Sequence, residues 1–252
     1  MAPCGAGTDM NARSRKTPEL PQALHSEGRD ADVGAAVQEI MRVLEEEIVL
    51  GVLHPRERLV EDELMARFGY KRHVVRQALA ELEKQGLVQR KKNSGAQVRA
   101  LNAKEVTELY ALREILETSC IRLIPLPAPA ARLEQLLAIQ RAHATAVKAG
   151  DPRAVFRANL AFHAALYSLS GNDALIEAIA EYARRTYPVR LSTLVSREYL
   201  ERARQEHEQI IEALRSGDRE ALLRLCAEHL HPSRDTYLDN LKRLGRLEEA
   251  AA

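Results

Sequence analysis

The 252-residue chain has no tryptophan and only 4% aromatic residues, which excludes a surface built on base-stacking rings. Its three cysteines, Cys4, Cys120 and Cys226, are odd in number, far apart and without a Cys-x-x-Cys pair. Neither a disulfide framework nor a zinc-thiolate site fits that spacing, and core packing is their expected use. No apolar run approaches the roughly eighteen residues of a membrane span. The opening stretch MAPCGAGTDMNARSRKTPELPQ lacks the continuous apolar segment of a secretory signal. A cytoplasmic protein without membrane contact is expected. Net charge is nearly missing too, with 37 Lys and Arg against 36 Asp and Glu for +1. Attraction to an anionic partner must therefore come from local patterning. What is present, 46% hydrophobic and 29% charged residues, is the balance of a globular protein, and the length suits two modest domains.

Residues 1–32 carry Gly, Pro, Ser and Thr without apolar periodicity, the composition of a disordered tail. From Val33 the pattern changes. Val37, Ile40, Met41, Leu44 and Ile48 recur at three and four, the stripe of an amphipathic helix. EDELMARFG and KRHVVRQALAELEKQG follow, two helical patterns joined by a short turn after Gly69, and the second ends at Gly86. That is helix-turn-helix spacing. LVQR and AQVRA then read as short strands around KKNSG, a hairpin that makes a wing. From Lys104 onward the periodicity is helical throughout, with breaks at PLPAP, Gly150-Asp151-Pro152, Ser170-Gly171-Asn172, Pro188–Ser196 and Ser216-Gly217-Asp218. Six helices are predicted, at 104–124, 130–149, 152–169, 173–188, 197–215 and 218–243. The expected fold is thus mainly α: a winged helix-turn-helix with a small β-hairpin wing over 33–101, a short link at Ala100–Ala103, an all-α six-helix bundle over 104–243, and a C-terminal tail at 244–252.

Between Arg67 and Arg99, nine basic side chains face only two acidic ones. Phosphates reward such a patch by counterion release, and a helix opening with Lys71, Arg72, His73 and Arg76 can present its first turn to a major groove. Arg72 and Arg76 share one face, and arginine grips guanine in a bidentate fork worth about 1–3 kcal/mol of discrimination. Lys91 and Lys92, beside the wing turn that contains Ser94 and Gly95, suit phosphate or the minor groove. The competing reading of this run is a solvated charged face.

The stretch from Gly51 to Val98 resembles the winged-helix N-domain of the GntR family of bacterial transcription regulators. The resemblance is carried by Pro55 to Leu59, the Leu64-to-Gly69 helix end, Arg72, Arg76, Ala78 and Leu79 of the recognition helix, Gln85-Gly86-Leu87, and Gly95 of the wing. Where that family has Val-Ser-Arg-Thr-Pro-Val-Arg, this chain has Tyr70-Lys71-Arg72-His73-Val74-Val75-Arg76. Both arginines remain, so the resemblance implies guanine readout, while Lys71 and His73 replace small hydroxyl residues.

In the helical half, Asn159 and His163 are four apart and share a face. His207 falls in the stripe of Tyr199, Ala203, Ile210 and Leu214, and His229 in that of Leu222, Leu225 and Cys226. Three imidazoles and an amide oxygen suit a divalent metal such as Zn, Ni, Fe or Mn, with positions left for water or a ligand carboxylate. Each histidine taken singly also fits a hydrogen-bonded core residue, the reading favoured for His143. Glu206 and Glu208 flank His207 on other helical faces, so neither need enter the pocket. Arg113 and Glu117, one turn apart, fit an intrahelical ion pair.

Residues from about 104 to 240 resemble the FCD ligand-binding domain of the FadR subfamily, whose metal-binding members carry Asp-x-x-x-His on one helix and single histidines on two later ones. The matching positions are Asn159, His163, His207 and His229, with Asn159 standing where the pattern has Asp. The six-helix count resembles the VanR-like branch. The resemblance further implies that Arg113 meets an effector carboxylate beside the metal, with Glu117 as its partner. Together these readings predict a dimeric, ligand-responsive transcription regulator, in the first instance a repressor. It would bind a palindromic double-stranded operator and a small carboxylate metabolite. A metal-dependent helical enzyme is the alternative from another class, and a purely structural metal is a third reading.

Overall fold

The computed structural model describes residues 33–91 and 95–251. The expected tail at 1–32 therefore lies outside the described residues. Helix α1 (Val33–Val49) buries Val37, Ile40, Met41, Leu44 and Ile48, the residues its periodicity singles out. Helix α2 (Glu61–Phe68) opens on Glu61, Asp62 and Glu63, which complement the positive helix start. It stops where Gly69 turns left-handed (φ 73°) and returns its N–H to the Met65 carbonyl. Helix α3 (Arg72–Lys84) buries Val74, Val75, Ala78, Leu79 and Leu82. Three antiparallel strands complete this half: β1 (Arg58–Leu59), β2 (Val88–Lys91) and β3 (Gly95–Val98), in the order β1-β3-β2. The wing hairpin is as expected, in register Val88↔Val98 to Lys91↔Gly95. Its partner β1, Arg58↔Gln97 and Leu59↔Ala96, is an addition. Two residues give too little alternation to read as a strand.

The second half is helical: α4 (Ala103–Leu123), α5 (Ala130–Ala149), α6 (Pro152–Ser168), α7 (Asp173–Arg185), α8 (Leu191–Leu194), α9 (Arg197–Ser216), α10 (Arg219–Glu228) and α11 (His231–Ala251). Side-chain caps set several of the starts. Asn102 and Glu105 form a reciprocal capping box on α4, and Asp151, Asn172 and Asp218 accept backbone N–H bonds at α6, α7 and α10.

The count of six is corrected in two places. The span 173–188 ends at Arg185, a single 3₁₀ turn over Tyr187–Val189 follows, and the short α8 fills the expected break. The span 218–243 is two helices divided at His229–Leu230. Pro232 has no N–H to give to the Glu228 carbonyl, so the chain stops and restarts with the proline in the first turn, where the missing donor costs nothing. The six-helix basis for the VanR-like branch goes with this correction. The expected tail at 244–252 is also corrected, because α11 continues to Ala251 through the helix-favouring run Leu247-Glu248-Glu249-Ala250.

The core does not end at the link. Ala146, Val155, Phe156, Tyr187 and Leu194 of the helical half share one buried cluster with α1 and α3. Glu46 of α1 is only 7% exposed and meets Arg153 and Arg157 of α6. A second cluster joins α4, α5, α6, α9 and α10 around Phe162, Leu166, Ile210 and Leu214. Cys120 and Cys226 sit in it as free, buried thiols, the expected packing role. Among the described residues no helix is long and apolar enough to cross a membrane.

Candidate nucleic-acid interface and metal centre

With its apolar row on α1, helix α3 turns Arg72, His73 and Arg76 outward, and these line one shallow surface with Lys71. Both arginines, more than half exposed, already have acidic company. Arg72 pairs with Asp62 and reaches Glu61 at 3.5 Å, while Arg76 lies 3.7 Å from the same Glu61. These carboxylates come from the start of α2, outside the 67–99 window in which the basic excess was counted. Gly95 begins β3 with φ 72°, a left-handed conformation that suits the wing turn. Lys92 and Ser94 lie outside the described residues, as does the side chain of Lys91.

In the helical half, the three expected histidines converge. His163 on α6, His207 on α9 and His229 at the end of α10 place one ligand nitrogen each within 4.8 Å of the others. Their ring centroids are 5.4, 5.1 and 5.0 Å apart. His207 is fully buried, stacked on Phe162 at 3.9 Å. Its Nδ1 lies 3.0 Å from Gln140 Oε1, which makes Nδ1 the donor and leaves Nε2 buried without a partner. Nδ1 of His163 is likewise buried and unpartnered. His229 Nδ1 lies 2.6 Å from Glu206 Oε2, and its other nitrogen has no hydrogen-bond partner among the described residues. Burial, followed by the charge of His229, holds His163 and His207 well below the ordinary histidine range. Both are therefore neutral near pH 7 and present lone pairs. Orphaned imidazole nitrogens steadied from behind by an amide and a carboxylate fit a divalent cation. Asn159, one turn before His163, lines the adjoining cavity.

That cavity, about 80 Å³, is bounded by His163 and His229 of the cluster together with Tyr110, Arg113, Asn159 and Arg190. Arg113 and Glu117 form the expected pair at 2.9 Å, but deep in the interior, at 4% and 2% exposure. Arg113 Nη1 donates to Thr186 at 3.0 Å, and the Tyr167 hydroxyl donates to Glu117. Arg113 lines the cavity, whereas Glu117 sits behind it.

Two residues, Gln140 and Arg190, escaped the sequence reading, and two that it weighed, Glu206 and His143, border the cavity. Glu206 lines the site: its partner, His229, reaches it from another helix end, so the facing of neighbours on α9 does not decide the matter. Burial raises the pKa of Glu206, but hydrogen bonds from His229 and Arg202 outweigh it and the net shift is downward. Gln140 was detectable as an amide in the buried row Leu133, Leu136, Gln140, His143. His143 is the buried residue expected, 1% exposed, yet its ring lies 4.9 Å from His207 and it borders the cavity with Nδ1 unpartnered. Arg190 fell in a stretch read as a break.

Comparison with known proteins agrees with both halves. Residues 36–98 match the family described as bacterial regulatory proteins, gntR family, and residues 108–232 match the FCD domain. The chain is 27% identical over 192 residues to the HTH-type transcriptional regulator YdhC of Bacillus subtilis, covering 75% of this chain and 84% of that one. It is 29% identical over 133 residues to the Nta operon transcriptional regulator of Aminobacter aminovorans, covering 52% and 62%. Among solved structures, E. coli McbR/YncC superposes with a TM-score of 0.73 at 20% identity, over 82% of this chain and 98% of that one. A GntR regulator from Rhodococcus sp. RHA1 gives 0.70 at 24%, over 81% and 98%, and these two likenesses show the fold. The matched families and curated relatives are regulators, which sets aside the enzyme reading. With a winged DNA-binding half and an FCD half in one chain, the protein is a DNA-binding transcription regulator of the gntR family.

Proposed function

We propose that this regulator holds a divalent metal on His163, His207 and His229, with Asn159 as a further oxygen donor, and that a small carboxylate metabolite occupies the adjoining cavity beside Arg113. The winged helix reads a palindromic operator as a homodimer through Lys71, Arg72, His73 and Arg76, with Lys91, Lys92, Ser94 and Gly95 of the wing on the backbone. Effector binding then alters operator affinity, in the simplest case by releasing repression. The observation that carries the reading is the convergence of three imidazoles, two of them held neutral with buried, unpartnered nitrogens, beside a cavity that also contains guanidinium groups. Neutral donors take up a cation without first losing protons. A bound cation then supplies the positive field that orients a carboxylate.

The chain's own residues do the rest. Gln140 and Glu206 orient the rings, and Phe162 closes the dry side of the cluster. The shared core between α1 and α6 gives the helical half a solid contact with the DNA-binding half. A ligand shifts DNA affinity only if it binds the two arrangements of these halves unequally. The test has two parts. Metal content of the purified protein and of His207→Ala is measured by elemental analysis, with one bound ion per chain expected in the first and loss in the second. Fluorescence anisotropy against duplexes tiling the DNA around the protein's own gene should find one site bound far above its neighbours, abolished in Arg72→Ala/Arg76→Ala. Uniform binding that vanishes with salt contradicts operator recognition.

A further inference from the structure

We propose that Arg190 is the residue that grips the effector carboxylate, and that the short segment containing it, residues 187–194, carries the event to the DNA-binding half. The proposal rests on the effector reading above. Arg113, to which the family resemblance assigns the ligand, is already engaged. Its Nε and Nη2 each lie 2.9 Å from Glu117, and Nη1 donates to Thr186 at 3.0 Å. Glu117 is completed in turn by Tyr167. A guanidinium neutralised on one side and hydrogen-bonded on the other has few donors left for an incoming anion.

Arg190 differs on each count. It lines the same cavity, its Nε is buried without a hydrogen-bond partner, and no carboxylate pairs with it among the described residues. The Tyr110 hydroxyl and His143 Nδ1, which border the same space, are also buried and unpartnered. A cation beside unsatisfied neutral donors, in a site withdrawn from water, is costly until an anion completes it. Arg113 and Arg190 also repel each other, and burial with that repulsion lowers the pKa of Arg190. A negative ligand relieves both. The cavity of about 80 Å³ is roughly half of the ~150 Å³ that accommodates benzene, so the ligand has few carbons.

Arg190 also stands at a mechanical junction. The 3₁₀ turn before it packs Tyr187 edge-on against Phe156 at 5.3 Å, within the core shared with α1. The residue after it, Leu191, fills the space beside Gly51, just past the end of α1. A Cβ at Gly51 would meet the Leu191 methyl carbons at 2.4 and 2.7 Å. The backbone of Arg190 accepts from Thr193 and Leu194, so the guanidinium, the α8 turn and Leu191 move as one short piece. Helix α1 in turn packs on recognition helix α3. A carboxylate that draws in Arg190 therefore displaces the contact on which the end of α1 rests.

The experiment compares zinc-loaded wild type, Arg190→Gln and Leu191→Ala. Acetate, lactate, malonate, malate and citrate are titrated by calorimetry, and then added to the protein on its operator duplex in anisotropy. At least one anion is expected to bind wild type. Arg190→Gln should weaken it by about tenfold or more, the loss of a charge-assisted hydrogen bond, with zinc affinity unchanged. Because a partly buried cation with a buried, unpartnered Nε and no carboxylate partner among the described residues does little to stabilise the fold, Arg190→Gln should melt at or above the wild-type temperature. Leu191→Ala should bind the anion normally while the anion no longer alters its DNA affinity. Equal anion binding by Arg190→Gln overturns the assignment, and a full DNA response in Leu191→Ala overturns the relay. If none of the anions binds wild type, the effector reading itself fails, and this inference with it.

Discussion

Replacing Glu206 by glutamine removes one charge behind the histidine cluster and leaves its shape intact. In the native chain Glu206 Oε2 lies 2.6 Å from His229 Nδ1, with the two side chains 14% and 12% exposed. That contact fixes the proton on Nδ1, turns the other nitrogen toward His163 and His207, and makes it a stronger donor. A glutamine oxygen still accepts the proton but without charge. Loss of such a supporting partner costs about 10–100-fold in metal affinity, or about 1.4–2.7 kcal/mol. Arg202 shares the same carboxylate at 2.6 Å and already draws off part of its charge, which places the expected loss near the lower end, about tenfold. Competition for zinc against a fluorescent chelator measures it. Glu208→Gln is the control, since that carboxylate is 52% exposed and among the described residues pairs only with Arg204. An E206Q affinity within twofold of wild type, or an equal loss in E208Q, would refute the assigned role.

Zinc at a hundred times its dissociation constant should stabilise the protein by about 2.7 kcal/mol, a melting shift of roughly 5–10 °C for a chain of this size, reversed by chelator. A melting temperature indifferent to metal contradicts the site. Glu61→Gln/Asp62→Asn releases Arg72 and Arg76 from exposed pairs worth at most about 1 kcal/mol each. It also removes two charges that oppose phosphate. DNA binding should tighten about two- to fivefold at low salt and converge with wild type as salt rises, and an unchanged affinity argues against these arginines meeting DNA. Metal-free protein should lose stability on acidification in a way that depends on His143. Burial, then the charges of His229 and Arg204, lowers its pKa from 6.5 to about 4. The unfolded chain therefore binds the proton first as pH falls. The contribution is complete above about pH 6.5 and declines toward pH 4, by about 2–3 kcal/mol at pH 4.5. Urea titrations at pH 7 and 4.5 should show a smaller acid loss in His143→Gln, and an identical loss refutes the assignment.

Periodicity located the helices because burial decides them. The α1 stripe named in the sequence is found in the core, and the Gly69, Gly150 and Gly217 stops are all left-handed caps. Boundaries failed where a helix is barely one turn long and shows no periodicity, as at α8, or where a single proline outweighs a continuing apolar stripe, as at His229–Leu230. The histidines were legible singly, since each lies in an apolar row, but their convergence depends on how α6, α9 and α10 cross. Glu206, Gln140 and Arg190 were hidden for the same reason. Their partners lie 23 and 67 residues away for the first two, and the Arg190 side chain has no carboxylate partner among the described residues to mark it. The pairing of Arg72 and Arg76 with Glu61 and Asp62 was missed because charge was counted along one segment, while the helix-turn-helix folds an acidic helix start against a basic one.

The central claim is that the histidine cavity governs operator affinity. The direct measurement is the dissociation constant of the wild-type protein for its operator, by anisotropy at fixed salt, as metal-free protein, with zinc, and with zinc plus the tightest-binding carboxylate. The account predicts that the carboxylate changes the constant by roughly 5–150-fold, the usual range of coupling between two sites. It further predicts that His207→Ala abolishes the change while leaving metal-free DNA binding as it was. A single dissociation constant across all three conditions would contradict it.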